Sequence, residues 1–168
     1  VADAYVNGWK TVLVGTTGAG GRGVFALDVT NGTGFSSTDV LWEWNSDNDI
    51  DIGYTIGRAQ IGRLPNDDWV AIFGNGYESA SNEAILFIAN LRTGALTKVN
   101  TGAGGPTTPN GLATPRLVID GTGTIKAAYA GDLLGNMWKF DFTSSGGSVA
   151  FSGSRLFQAK DASNKVQP

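Results

Sequence analysis

The strongest constraint on this chain is an internal repeat. Three short apolar segments, WKTVLVG, DWVAIFG and IKAAYAG, end at Gly15, Gly74 and Gly131. The glycines give a period of about 58 residues, which is long for most solenoids and fits a large propeller blade. The sequence therefore predicts three copies of one supersecondary unit.

Each copy contains the same series of short strands. A polar loop and a second strand follow each glycine, and that strand ends at Asp28, Asn90 or Asp141. We expect these three side chains to accept hydrogen bonds from backbone N–H groups of the turn that follows. A further apolar stretch comes next, and another strand precedes each glycine-ended segment, although the first copy keeps only the stub DAYV beginning at Asp3. Four short strands joined by hairpins are typical of a propeller blade.

The predicted fold is all-β, a partial β-propeller of about three four-stranded antiparallel blades. The approximate blade units are residues 1–53, 54–111 and 112–168. No window has the apolar spacing of a helix, so we expect almost no helix. A closed ring needs about four to eight blades. We therefore expect this chain to be cut from a larger domain, with the remainder of the propeller in the parent protein as its partner.

Composition excludes several classes of function. The chain has no cysteine and no histidine, which removes Cys/His zinc sites, thiol nucleophiles and His-based triads. A net charge of −3 does not indicate the positively charged surface that binds nucleic acid or an anionic membrane. The longest apolar run, residues 84–91, is too short to span a bilayer. We expect no catalytic residue, no nucleic-acid partner and no membrane insertion.

Two loops have the residue pattern of a ligand site. The GAGGRG segment at residues 18–23 fits a dinucleotide fingerprint, but a strand rather than the required helix is predicted after it. Asp47, Asp49 and Asp51 alternate in one loop and are a candidate calcium site. In an EF-hand register, however, Ile52 and Arg58 stand where Gly and Glu are needed, which favours a solvated acidic loop between blades.

Arginines and tryptophans are the other candidates. Arg58, Arg63 and Arg116 lie on the predicted innermost strands, where they could receive an anionic group or pair with Asp and backbone carbonyls. Five tryptophans, including Trp42 and Trp138, recur at strand positions. We interpret them as packing between blades, with a sugar-binding platform as the alternative.

The order of motifs along the chain resembles one known family. GAGGRGVFALDVTNG, DIDIGYTIGRAQIGRL, WVAIFGNGYES and AYAGDLLGNMWKFDF together are similar to the propeller of the PilC/PilY type IV pilus family. The resemblance implies a non-enzymatic module that promotes pilus assembly, opposes retraction and acts as an adhesin. It implies an extracellular location, at the pilus tip or the outer-membrane surface, with pilus components or a host surface as partners.

The family also often has a calcium loop before the strand that here reads YAGD. At the matching place this chain keeps only Asp120, and Lys126 stands where the last carboxylate is expected. We therefore expect no calcium at this loop and no cofactor, apart from the calcium candidate of the earlier acidic loop.

Two alternatives come from other classes of protein. The ALDVTNG and LWEW segments are similar to the blade motif of quinoprotein dehydrogenases, which would make the chain part of an enzyme that uses pyrroloquinoline quinone. Many such enzymes have a vicinal disulfide over the cofactor, and this chain has no cysteine. The third hypothesis is a propeller that only scaffolds a partner.

Overall fold

Twelve strands form three separate antiparallel sheets in a computed structural model that describes residues 1–145 and 147–166. The first sheet consists of β1 (Ala2–Tyr5), β2 (Trp9–Thr16), β3 (Gly23–Asp28) and β4 (Val40–Asn45). The second consists of β5 (Gln60–Arg63), β6 (Trp69–Gly74), β7 (Glu83–Asn90) and β8 (Leu96–Gly104). The third consists of β9 (Arg116–Ile119), β10 (Ile125–Gly131), β11 (Asn136–Ser145) and β12 (Ser148–Gln158).

The sheets confirm the predicted all-β blades. In each sheet the strands lie side by side in chain order and pair antiparallel, so each sheet is a meander. Among the described residues the only helical segments are two single 3₁₀ turns, Gly18–Gly20 and Ser37–Asp39, and neither could cross a membrane. Each predicted unit contains one sheet, while the limits of the units stay a prediction. Positions 146, 167 and 168 of the third unit lie outside the described residues.

The first blade is more complete than the sequence indicated. β1 has four residues and pairs with β2 from Ala2 opposite Val12 to Tyr5 opposite Trp9. β5 and β9 are also four residues long, so a short inner strand is common to all three sheets. The prediction that the first blade lacks most of its inner strand is therefore wrong. The longer segments of the later repeats include lead-in residues, since Tyr54 and Leu112 form only isolated bridges ahead of β5 and β9.

Two apolar layers hold the sheets together, and the second sheet contributes to both. Along β7, Ile85 and Phe87 face the layer shared with the first sheet, while Leu86 and Ile88 face the layer shared with the third. A strand that is buried on both faces needs apolar residues at every position rather than at alternate ones. This accounts for the uninterrupted run at residues 84–89. Phe87 stacks on Phe73 of β6 at a centroid distance of 5.3 Å, and full burial of one such ring contributes about 2 kcal/mol.

The Asx residues at the ends of the second strands behave differently from one another. Asp28 accepts hydrogen bonds from the backbone N and hydroxyl of Thr30, and Asn90 accepts two from the backbone of its turn, as predicted. Asp141 does not end a strand: it lies within β11, and its carboxylate pairs with Lys139. The prediction fails there because the third hairpin is longer, with pairing that continues to Ser145 opposite Ser148.

Candidate functional site

The residue that follows each repeat glycine makes polar contacts where neighbouring blades meet. The hydroxyl of Thr16 donates to the carbonyl of Gly57, which leads into the second blade, at 3.0 Å. Asn75 is fully buried, and its Oδ1 accepts from the backbone N of Leu112, which leads into the third blade, at 2.9 Å. Sequence reasoning missed these positions because their residues are chemically different. Their shared place directly after the glycine is the signal that could have identified them.

Asp132 occupies the same position in the third repeat. Its carboxylate accepts five hydrogen bonds, two of them from backbone N–H groups and three from the side chains of Asn110, Asn136 and Trp138. Burial raises the pKa of Asp132, but the hydrogen bonds from these side chains outweigh it and hold the pKa below its usual value. Asp132 is therefore an ionised structural acceptor at neutral pH.

At two glycines between the blades, the neighbouring backbone lies so close that there is no room for a Cβ atom. A Cβ at Gly76 would lie 1.9 Å from the carbonyl oxygen of Tyr54, and Gly76 has a φ of +72°. A Cβ at Gly111 would lie 1.8 Å from the carbonyl oxygen of Gly76. Gly76, in the loop between β6 and β7, therefore lies in backbone contact with the lead-in segments of both the second and the third blade.

A cavity of about 290 Å³ opens beside this junction. Its walls include Tyr54 and Tyr77, whose rings lie 5.5 Å apart, and the exposed side chains of Ile56 and Leu133. The guanidinium of Arg22 lies 4.7 Å above the ring of Tyr54, which fixes that wall. The cavity offers apolar and aromatic contact, and the carboxylate of Asp132, which also lines it, is already engaged by its own five donors.

The structure divides the candidate calcium residues. Asp49 and Asp51 both bind the ammonium of Lys98, at 3.0 Å and 2.8 Å, whereas Asp47 is exposed and makes no ion pair among the described residues. Burial raises the pKa of Asp51, but hydrogen bonds from Lys98 and Ser81 outweigh it and lower that pKa. In the described part of the chain no group of three acidic side chains is arranged to hold a metal ion. Calcium binding by Asp47, Asp49 and Asp51 stays a prediction.

The three candidate arginines lie at different places. Arg63 ends β5 and donates to Asp67 and to the carbonyl of Thr122 in the third blade, so it pairs with protein groups. Arg116 begins β9 and is exposed. Arg58 precedes β5, is exposed, and has its backbone N bonded to the hydroxyl of Thr114.

The tryptophans have two different roles. Trp42 and Trp138 are 8% and 7% exposed and belong to the two apolar layers, which confirms packing between blades for these two. Trp44 and Trp69 pack against the same layer as Trp42. Trp9 is different, because 68% of it is exposed.

The GAGGRG segment has no helix after it. Residues 18–20 form one 3₁₀ turn, and β3 begins at Gly23. The segment therefore lacks the helix N-terminus that a pyrophosphate needs, as the sequence predicted.

Comparison with known proteins identifies the family. The family model described as the PilY1 beta-propeller domain matches residues 1–163. The chain belongs to this PilY1 β-propeller family. A type IV pilus biogenesis factor PilY1 homolog of Xylella fastidiosa is 46% identical over 154 residues, which cover 85% of this chain and 10% of the relative. PilY1 of Pseudomonas aeruginosa strain UCBPP-PA14 is 39% identical over all of this chain and 16% of its own length.

A solved structure of a PilY1 relative agrees with this assignment. The crystal structure of the Pseudomonas aeruginosa PilY1 C-terminal domain matches with a TM-score of 0.86 at 38% identity. The match covers 99% of this chain and 38% of that one. This chain thus spans about a tenth to a sixth of the curated PilY1 relatives and less than half of the solved domain.

In the hairpin between β9 and β10, the place of the family's calcium loop, a lysine supplies the positive charge. Lys126 places its ammonium 3.1 Å from Oδ2 of Asp120. Oδ1 of Asp120 accepts from the backbone N of Thr122 and Thr124, and the hydroxyl of Thr122 is the main cause of a lowered Asp120 pKa. The hairpin between β9 and β10 is therefore closed by contacts within the protein.

Proposed function

We propose that this chain is a non-enzymatic propeller module of a bacterial surface protein that acts in type IV pilus biogenesis and adhesion at the pilus tip. The observation that carries the proposal is the family match over residues 1–163, with curated relatives that are named type IV pilus biogenesis factors. The proposal extends to the location, which is extracellular, at the pilus tip or the outer-membrane surface, and to pilus components or a host surface as partners.

The blade architecture suits a rigid binding module. The second sheet is buried on both faces, so the three blades form one packed unit rather than independent hairpins. Exposed apolar side chains lie at strand ends and in loops: Tyr5 ends β1, Ile56 lies in the lead-in segment of the second blade, and Leu133 lies in the loop between β10 and β11. Such loops on a rigid scaffold are the usual place for binding residues.

The test uses the full-length parent protein in its own bacterium. Asn75→Leu removes the buried contacts between blades, and we expect fewer surface pili and weaker pilus-dependent motility than in the wild type. Asn31→Ala, in an exposed loop, is the matched control and should leave pilus number unchanged. In a strain without the pilus retraction motor, pilus number should recover. The result is decisive if the Asn75→Leu protein is present at the wild-type level and its propeller is shown to be unfolded. Normal piliation under those conditions would refute a role of the propeller in biogenesis.

Adhesion needs a separate measurement. Attachment to host cells is normalised to pilus number in the retraction-deficient strain, so that assembly no longer limits it. We expect Asn75→Leu to reduce attachment per pilus. Equal attachment per pilus would restrict the module to assembly.

The absence of catalysis is also part of the proposal. The relatives are named biogenesis factors rather than enzymes. Addition of pyrroloquinoline quinone with calcium should therefore leave no chromophore bound to the protein after gel filtration. A retained chromophore would favour the quinoprotein alternative.

A further inference from the structure

Trp9 belongs to an exposed aromatic cluster at the junction of the first two blades rather than to a buried apolar layer. Its ring lies 6.0 Å from that of Tyr5 at an interplanar angle of 82°, and 5.9 Å from that of Trp69 at 73°. Trp9 and Tyr5 are 68% and 55% exposed. Large exposed aromatic surface costs free energy in water, so a cluster of this kind is typical of a binding surface.

The backbone holds these rings in place. Tyr5 and Trp9 are directly opposite each other in the β1–β2 hairpin. The turn between them places Asn7 and Gly8 at φ of +55° and +133°, a conformation that these two residue types adopt readily. The exposed face of Trp9 is thus presented by a short hairpin and by edge-to-face contacts on both sides, which limits the entropy lost when a ligand binds.

The cluster forms one wall of a cavity of about 460 Å³, where the first hairpins of all three blades meet. The second blade contributes Arg63 and Asp67, and the third contributes Thr122. The volume lies within the range of sites for small ligands. A polar wall therefore faces an aromatic one across a space open to solvent.

In the polar wall the charges of Arg63 and Asp67 balance, and one carboxylate oxygen of Asp67 is available to accept a hydrogen bond. Arg63 Nη1 donates to Oδ1 of Asp67 at 2.8 Å, and the Asp67 side chain is 81% exposed. Among the described residues, Oδ2 of Asp67 has no hydrogen-bond partner. Asp67 has a φ of +68°, a left-handed turn conformation that Asp adopts more readily than most residues with a Cβ, and the turn is closed by a hydrogen bond from its backbone N to the carbonyl of Leu64.

We propose that this cavity binds a neutral pyranose ring of a glycan, stacked on Trp9 and hydrogen-bonded to Asp67. One face of a pyranose presents C–H groups, which are attracted to the negative face of an indole. The hydroxyls at its rim can donate to the free Oδ2 of Asp67. Because Arg63 neutralises Asp67, the wall favours a neutral ligand over a cation or an anion. The inference is independent of the proposed pilus function, since it concerns only binding by this chain.

Saturation-transfer difference NMR on the whole chain tests the proposal and tolerates self-association of the protein. The probes are the methyl pyranosides of glucose, galactose and mannose, with choline as a cationic control. We expect at least one pyranoside to give a saturable signal, strongest at the C–H protons of one ring face. Choline should give none.

Two substitutions locate the site. Trp9→Ala should abolish the signal, and Asp67→Asn should weaken binding about tenfold, because a neutral acceptor replaces a charged one while Asn keeps the left-handed turn. Phe35→Ala is the control, since Phe35 is a similarly exposed aromatic residue that does not line the cavity. Circular dichroism confirms that each variant is folded. No signal from any pyranoside, a signal unchanged in both site variants, or a signal from choline alone would overturn the proposal.

Discussion

Asn75 shows how one side chain can hold several blades in register. Its Nδ2 donates to the carbonyls of Asp51 and Glu83, and its Oδ1 accepts from the backbone N of Ile85 and Leu112. These groups come from the end of the first unit, the second blade and the lead-in to the third. The Asn75 side chain is the hydrogen-bond partner of four backbone groups. Its removal is costly, because each backbone group left unpaired keeps its desolvation penalty.

The first prediction follows from these bonds. Asn75→Ala should lower the free energy of unfolding by about 3 kcal/mol or more, since it leaves buried N–H and C=O groups unpaired. Urea denaturation followed by tryptophan fluorescence measures the change. Asn31→Ala, which removes only local bonds to Thr33 in an exposed loop, should change it by less than about 0.5 kcal/mol. Equal effects of the two substitutions would contradict the structural role of Asn75.

Asp28 gives a prediction about pH. A hydrogen bond from Lys10, reinforced by Thr30, lowers the pKa of Asp28 from 3.8 to about 2. Because the folded-state pKa is depressed, the unfolded chain binds more protons between these values, and stability falls as pH drops. We expect the free energy of unfolding to decrease as pH falls from 3.8 towards about 2, and this decrease to be smaller in Asp28→Asn. Lys10→Met should reduce it in the same way. Identical pH profiles for the wild type and both variants would show that the ion pair contributes nothing.

At the scale of elements, the segments that join the blades are as constrained as the strands. Tyr54 bridges to Tyr77 and Leu112 bridges to Asp132 outside the sheets, so the lead-in segments pair with the loop of their own blade before the inner strand begins. Gly76 and Gly111 allow the lead-in segments of the second and third blades to come into backbone contact with the loop between β6 and β7. Backbone groups that approach this closely tolerate no side chain between them.

Glycine substitutions at two loops test this packing. Gly76→Ala should destabilise the chain by about 3 kcal/mol or more, because its Cβ would overlap the carbonyl of Tyr54 and its φ is positive. Gly32→Ala is the matched control, since nothing lies within 4 Å of a Cβ built there. Differential scanning calorimetry compares the two midpoints. A Gly76→Ala variant as stable as Gly32→Ala would mean that the lead-in segment of Tyr54 can move away from the loop of Gly76 without loss of stability.

The two acidic loops give a prediction about calcium. The hairpin of Asp120 and Lys126 should not bind Ca²⁺, because the lysine ammonium already neutralises the carboxylate. Isothermal titration of the wild type with Ca²⁺ is compared with Asp120→Ala and Asp49→Asn. A submillimolar site that disappears with Asp120→Ala would refute the prediction. A site lost only with Asp49→Asn would instead support the candidate in the earlier loop.

At the scale of the whole molecule, the sheet order leaves blade faces without a neighbour. The third sheet packs on the second through Trp138 and Phe140, so the alternate residues face away from it. On that side Val118, Met137 and Phe157 are 46%, 40% and 61% exposed. In a propeller such a face is normally covered by another blade.

We therefore predict that the chain self-associates in solution or needs further blades to cover this face. Multi-angle light scattering should give a mean mass above that of one chain, rising with concentration. Phe157→Glu should lower that mass, because a charge on the open face opposes its burial. Phe35→Glu, at an exposed position in the loop before β4, is the matched control and should not. A monodisperse monomer at high concentration would mean that these apolar faces need no cover.

The sequence by itself determined the all-β class, the three blades and the near absence of helix. Each of these follows from local information, namely the repeat period, the short apolar runs and the turn residues. The same local logic predicted the turn bonds of Asp28 and Asn90, and it failed for Asp141, where strand pairing extends past the Asx residue.

Only the tertiary structure decided which side chains meet. Asn75 and Leu112, Arg63 and Thr122, and Trp9 and Trp69 are far apart in the chain, and no local pattern encodes their contact. The exposure of Trp9 was likewise not readable from its motif, because Trp9 and Trp69 begin equivalent strands of the repeat and yet only the second packs against an apolar layer. The physical reason is that a repeat fixes the shape of one blade. The sites lie between blades, where the neighbouring blade decides what each side chain contacts.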